Sequence, residues 1–273
     1  MLLGIDIGGT TIHMGLVKGS VLVVENTVPS FDRNWSQQQT LDYLCDKISR
    51  IFCPEVERIG VGVPTLVDPA KGIAYQAANI PSWDEVPIKD VLQTRFGVPV
   101  SVNNDSNCFA LGAAACQEKA HNILVGITLG TGVGVGVIVN GKLCDGSHCG
   151  VGEIGALPYL EEDFEAYCSK KFFHSRGHSP RSVAEAAESG NPDAIALYKA
   201  FGEHLGTFLS VVMYAYDPDC VVLGGGIARS YPLFQESMWS TLREKYPYTR
   251  TLADLQIQAM PEDDIALVGA ATL

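Results

Sequence analysis

Apolar residues in this chain gather into short unbroken runs, and the runs alternate with segments where apolar positions recur at helical spacing. The runs predict strands at Leu2–Ile7, Met14–Val17, Val21–Val24, Arg58–Val63, Val98–Val102, Asn122–Leu129, Gly134–Val139, Cys220–Leu223 and Leu255–Gln258. The spaced segments predict helices at Gln37–Ile51, Ile88–Phe96, Asn104–Gln117, Ser182–Ser189, Pro192–Ala215, Tyr231–Lys245 and Asp264–Ala271. Pro192–Ala215 reads as one long helix, with Asn191 as its N-cap and proline in its first turn. Strands alternating with helices make this an α/β chain. No low-complexity linker divides it.

One pattern occurs twice. Laying "IDIGGTTIHMGLVKG" (5–19) over "ITLGTGVGVGVIVNG" (127–141) matches Gly8 to Gly130 and Gly19 to Gly141, with apolar residues in register on both flanks. Each copy reads as strand, glycine-rich turn, strand and second turn. The echo predicts two similarly built lobes, each offering a hairpin loop to a shared cleft where a triphosphate is gripped from both sides.

Size and charge narrow the function classes. At 273 residues, 47% hydrophobic and 18% charged, the chain has the balance of a globular protein with a substantial core. A formal charge of -12 argues against a nucleic-acid binder, which needs a basic face. It leaves a nucleotide substrate open, because backbone N–H groups, helix N-termini and Mg²⁺ hold small phosphates. No apolar stretch approaches the roughly 20 residues of a membrane span. The start "MLLGIDIGGTT" has no basic region and is interrupted by Asp6, so no signal peptide is expected. Eight cysteines (45, 53, 108, 116, 144, 149, 168 and 220) include no C-x-x-C pair and are expected to be buried, reduced thiols in a cytoplasmic protein.

Five segments carry candidate chemistry. In "DIGGTT" (Asp6 to Thr11), glycines let backbone N–H groups close on an anion, threonine hydroxyls add donors, and Asp6 at a strand end is placed to hold Mg²⁺ directly or through water. A polar hairpin turn explains that segment alone equally well. "TLGTGVGVG" (Thr128 to Gly136) holds more glycine and threonine than one hairpin needs, which favours a second phosphate loop. "VVLGGGIA" (Val221 to Ala228) ends a buried strand in three glycines, suited to a base or ribose, though it is no G-x-G-x-x-G fingerprint. In "SVNNDSNCFALGAAA" a strand meets a helix at Asn103, Asn104 and Asp105, where α/β proteins place functional groups. The helix dipole keeps Asp105 ionised there, while an N-cap accounts for one residue of the cluster. The fifth, from Gly146 to Lys170, sets Glu153 in a glycine-rich turn and Glu165 ahead of a helix, and the two carboxylates with Asn104 and Asp105 would make a polar pocket suited to a polyol. Glu161, Glu162 and Asp163 are expected to face solvent. Cys144, His148 and Cys149 invite a zinc reading, but their spacing matches no standard structural zinc framework.

The ordered set D-I-G-G-T-T, G-V-G-V-P, N-N-D-S-N-C-F-A-L-G, L-G-T-G-V-G-V-G, G-E-I-G and L-G-G-G-I-A resembles the sugar kinases of the ROK family (repressors, open reading frames and kinases) over essentially the whole chain. No N-terminal helix-turn-helix precedes the first motif, which points to the kinase branch. The resemblance implies an actin-like, ribonuclease-H-like duplicated fold with two lobes and an interlobe cleft. It implies ATP and Mg²⁺ as phosphoryl donor and a hexose as acceptor, glucose or a related aldohexose phosphorylated at O6. It leaves open an N-acetylated or epimeric hexose (N-acetylmannosamine, allose), a polyphosphate donor, and a sugar or ATP sensor without catalysis. By position, Asp105 resembles the catalytic base, and Asn104, Glu153, Glu165 and Asn79 resemble sugar ligands. Asp6, Gly8, Gly9, Thr10 and Thr11 resemble the first phosphate loop, with Asp6 on the metal side. Gly130, Thr131 and Gly132 resemble the second, and Gly224, Gly225 and Gly226 the adenosine site. A homodimer is implied by resemblance alone.

Lobes are expected at 1–115, with 262–273 packing back, and at 116–261. Three departures stand out. Ala156 replaces the usual histidine after E-I-G, and "ALPYLEEDFEAY" lacks the usual cysteine-rich motif, so no zinc is expected. Thr65 stands where many members carry glycine after V-P. These leave the choice of sugar open.

Overall fold

The computed structural model describes residues 1–19, 21–77, 79–147, 149–262 and 264–273, and it divides into two units. One gathers Met1–Lys119, Leu143–Val151 and the C-terminal helix; the other gathers Ala120–Lys142 and Gly152–Glu262.

In the first unit β1 (Leu2–Ile7), β2 (Thr11–Lys18), β3 (Val21–Pro29), β4 (Arg58–Val63) and β5 (Val100–Asn104) form one sheet in the order β3-β2-β1-β4-β5. The pairs β1–β2 and β2–β3 are antiparallel, and β1–β4 and β4–β5 are parallel. Parallel central strands are covered on both faces, which is why they appear as unbroken apolar runs. β4 buries every residue except Arg58. Helix α1 (Gln37–Ser49) opens on a capping box in which Ser36 and Gln39 satisfy each other's backbone N–H groups.

Helix α2 (Asp105–Ala115) follows β5 directly and buries seven of its eleven residues. It crosses the C-terminal helix (Asp264–Thr272), and glycines set how closely the two approach. A Cβ at Gly269 would overlap the Cys108 carbonyl oxygen, and one at Gly112 would overlap that of Ile265. The same helix lies on the sheet through Gly4 and Gly60, where a Cβ would overlap the carbonyls of Leu267 and Ala270. The C-terminal helix is thus part of the first unit's core.

The second unit repeats the plan. Strands β6 (Ile123–Leu129), β7 (Val133–Val139), β8 (Lys142–Leu143), β9 (Cys220–Gly224) and β10 (Gln256–Ala259) run in the order β8-β7-β6-β9-β10. Here β6–β7 is antiparallel, and β6–β9 and β9–β10 are parallel. The hairpin echo in the sequence is therefore one end of a duplicated five-stranded sheet. Asn140 and Gly141, both at positive φ (50° and 75°), join β7 to β8 as a type I′ turn requires. Helix α3 (Pro192–Tyr216) starts as expected, with Asn191 capping Asp193 and Ala194, and packs on α4 (Tyr231–Lys245). Phe172, Phe173, Tyr198, Phe201, Phe208 and Phe234, all fully buried, fill this core.

Several expectations are corrected. The strand expected at Val21–Val24 runs on to Pro29, because β2 pairs with it throughout. The strand expected at Val98–Val102 lies at Val100–Asn104, starting after Pro99, which has no N–H to donate. A small antiparallel sheet of Leu66–Asp68, Ile73–Tyr75 and Glu85–Val86 was not expected at all. Leu143–Val151, assigned by sequence to the 116–261 lobe, joins the first unit. Cys108, Cys168 and Cys220 are buried, whereas Cys116 is exposed at the end of α2.

Candidate functional site

In the first unit the turn after β1 is closed by a hydrogen bond from Gly8 N to Thr11 O at 2.8 Å. Ser30 holds it from behind, its hydroxyl donating to Gly8 O at 2.7 Å and its N–H to Thr10 O at 2.9 Å. Gly9 and Thr10 are left exposed at the tip. Thr11 belongs to β2, and its hydroxyl meets His13 Nε2 at 3.1 Å, so it stands apart from the exposed loop atoms.

Asn79 reaches the same loop. Its segment is anchored by Trp83, which is 1% exposed and donates from Nε1 to the buried Thr40 hydroxyl at 2.7 Å. Backbone bonds Ala77 N to Trp83 O and Trp83 N to Ile80 O fold the chain around that anchor and leave Asn79 outside. A Cβ on Gly9 would sit 3.3 Å from Asn79 Cβ, so the asparagine borders the first loop. Losing a buried tryptophan costs roughly 3–5 kcal/mol, enough to hold the segment in place.

The β5–α2 junction is built on hydrogen bonds between neighbouring polar side chains. Asn104 is the N-cap of α2, accepting from Ser106 N at 2.9 Å and Asn107 N at 3.4 Å, while its Nδ2 donates to Thr65 O at 3.1 Å. Asn103, 5% exposed, accepts from Asn104 N and Asn107 Nδ2 and donates to Asp145 Oδ1 at 3.1 Å. Asp105 is thereby fixed as the first residue of α2, its Oδ1 accepting from Ser106 N at 2.8 Å. Asp6 lies beside it: a Cβ on Gly62 would be 3.4 Å from Asp6 Oδ1 and 3.5 Å from Asp105 Cα. The buried Cys108 thiol registers this charge. Burial raises its pKa well above the ordinary thiol value, and the carboxylates of Asp6, Asp105 and Asp145 raise it further.

The second unit assembles its own loops. Gly130 N donates to Gly132 O at 3.0 Å across the β6–β7 turn, Lys170 N donates to Gly130 O at 2.9 Å, and Thr131 is exposed at the tip. Gly225 follows β9 at φ 80°, and a Cβ there would be 2.7 Å from Leu129 O, so glycine is required and the Gly224–Gly226 segment adjoins the Gly130–Gly132 turn. Glu153 begins a short 3-10 turn seated on β7 by Gly152 and Gly155 and is exposed.

Glu165, expected among the sugar ligands, has two partners within the second unit. Its Oε2 accepts from Val133 N at 3.2 Å and its Oε1 pairs with Lys171 Nζ at 2.6 Å. The first of these bonds braces the strand that leaves the second glycine turn. Asp145, Lys171 and Thr65 were not singled out as site groups by their sequence context, apart from Thr65 as a departure from the family pattern. His148, the middle of the trio considered for zinc, lies outside the described residues. Among the described residues no group of three His, Cys, Asp or Glu side chains is placed to hold a metal. That arrangement still fits Mg²⁺, which binds through one or two carboxylates together with water and substrate phosphates.

A family model described as ROK family matches residues 2–273. The chain is 26% identical over 309 aligned positions to a glucokinase of Thermotoga maritima, covering 100% of this chain and 96% of that one. It is 31% identical over 262 positions to an N-acetyl-D-glucosamine kinase of Escherichia fergusonii, covering 84% of each. Among solved structures, the ROK hexokinase of Thermus thermophilus is similar at 27% identity with a TM-score of 0.79, covering 99% of this chain and 96% of that one.

Proposed function

The chain belongs to the ROK family, as a sugar kinase with the actin-like, ribonuclease-H-like fold, and on that footing we propose that it moves the γ-phosphoryl group of ATP to a hexose hydroxyl, O6 of an aldohexose in the first instance. The observation that carries this reading is the junction at Asp105. A carboxylate fixed at the first position of a buried helix by the Asn104 cap, with Asp6 across Gly62, fits a base beside a metal-side carboxylate.

In this reading Asp105 accepts a hydrogen bond from the acceptor hydroxyl, aligns it and takes its proton as the phosphoryl group arrives. A carboxylate is a weak base for an alcohol, but a loose transition state asks mainly for positioning and charge stabilisation. The backbone N–H groups of Gly9 and Thr10, at the exposed tip of the first turn, and of Thr131, at the exposed tip of the second, supply donors for phosphate oxygens. Asp6 would hold Mg²⁺, directly or through water, and the ion would supply neutralisation of the phosphate charge. Gly224 to Gly226 offer backbone close to the nucleoside. Asn79 and Glu153 remain the exposed acceptor ligands, while Asn104 positions Asp105.

The test is ADP release from MgATP across glucose, mannose, allose, N-acetylglucosamine, N-acetylmannosamine and glucosamine, with chelation of Mg²⁺ as a control. A sugar-dependent, Mg²⁺-dependent signal supports the kinase. ATP binding with silence across the whole panel contradicts it and favours a sensor. Lys171→Ala should release Glu165 and loosen the second turn. Because the pair is partly exposed (54% and 32% for Lys171 and Glu165), the expected rise in KM for MgATP is only about two- to fivefold, with kcat little changed, as steady-state kinetics would read.

A further inference from the structure

Asp145 belongs to the first unit in space but comes from the segment that follows the second unit's β7 and β8. One of its oxygens is held by the buried Asn103 amide, which also accepts the backbone N–H of Asn104, the residue before Asp105. Asp145 also lines a groove of about 450 Å³ together with Asp68, Tyr75, Ser147 and Cys149. That volume lies within the roughly 300–1,000 Å³ in which pockets enclose small ligands. One wall of the groove is the hairpin beginning at Leu66, and the preceding Thr65 accepts from Asn104 Nδ2 and donates its hydroxyl to Tyr75 O. The groove is therefore tied to the Asp105 junction from two sides, through Asn103 and through Asn104.

Its charge is one-sided. Asp68 is paired with Lys71 at 3.2 Å, whereas Asp145 has no cationic partner among the described residues and is anchored only by a neutral amide. The Cys149 thiol feels both carboxylates: after burial, Asp145 and then Asp68 raise its pKa. A ligand that matches this groove brings hydrogen-bond donors and, best, a positive charge. A sugar acid or phosphorylated sugar would be repelled.

We propose that Asp145 is a specificity-determining residue whose groove receives the amino-bearing side of the acceptor, so that hexosamines with a free ammonium bind better than their N-acylated or neutral counterparts. The inference rests on the sugar-kinase reading for the identity of the ligand class. A charge-assisted hydrogen bond exceeds a neutral one by enough to make the effect measurable.

The experiment is calorimetric titration of the full chain, without nucleotide, with glucosamine, N-acetylglucosamine and glucose, on the unaltered protein and on Asp145→Asn. Asparagine keeps the shape and the bond from Asn103 while removing the charge. We expect glucosamine to bind about tenfold or more tighter than the other two, and D145N to weaken glucosamine roughly 10- to 100-fold while changing glucose by less than about fivefold. Thermal melting checks that D145N is folded; if it is not, the preference of the unaltered protein decides alone. No preference for glucosamine, an equal loss for all three sugars in D145N, or no binding of any of them overturns the proposal. The two readings fail separately. Sugar-dependent ADP release with no effect of charge at position 145 leaves the kinase and removes the subsite; Asp145-dependent glucosamine binding without turnover on any sugar does the reverse.

Discussion

Asp105→Ala is expected to lower kcat at saturating sugar by about 100- to 10,000-fold, the usual contribution of a positioned acid–base group. KM for MgATP should change little, because Asp105 faces the acceptor in the proposed chemistry. The geometry makes the result interpretable. Asn104, not Asp105, caps α2, so removing the carboxylate takes away bonds that it accepts, those from Ser106 N and Oγ among them, and leaves the cap in place. Asp105→Asn separates shape from charge further: it can still accept from Ser106, yet it cannot take a proton. ADP release and sugar binding measured on both variants, with a thermal melt for each, make the check. Turnover within tenfold of the unaltered protein in either variant would remove Asp105 from the role of base.

Gly269→Ala is expected to damage both fold and activity. The new methyl group would overlap the Cys108 carbonyl oxygen, which belongs to the α2 backbone and cannot rotate away. Overpacking of this kind costs about 1–3 kcal/mol. At about 2–4 °C per kcal/mol, the first unit's melting temperature should fall by several degrees. The helix pushed aside is the one that carries Asp105, and small misplacements of a reacting group are expensive. A fall in kcat larger than the loss of folded protein at the assay temperature would show that the glycine contact sets the base's position. An unchanged melting temperature would mean that the two helices have room to separate.

The central parallel strands of both sheets were legible because they need apolar residues on both faces, and such runs stand out, whereas the two-residue edge strand at Lys142–Leu143 was not. The duplicated hairpin was legible for a related reason: glycine at matched places marks turns that other residues enter at a cost. The three-stranded sheet at residues 66–86 was not, since strands of two or three residues are too short to show a period. At the site, "NNDSN" announced a junction, but its division of labour depends on directions that no local pattern carries. Asn104 turned out to be the cap and Asn103 the link to Asp145, 42 residues away. The pairing of Glu165 with Lys171, six residues on and at 2.6 Å, was likewise invisible in sequence, because it depends on how the chain turns between the two residues.

The place of the C-terminal helix has a consequence for how the chain is made. Helix 264–272 packs against β1, β4 and α2, so the first unit lacks part of its core until residues 264–272 have left the ribosome. All segments of the second unit have been synthesised by then. Domains usually fold in the order of their synthesis. Here the order is inverted: the unit that holds β1 completes after the other, and the face of β1 that the helix covers stays open while residues 152–262 are translated.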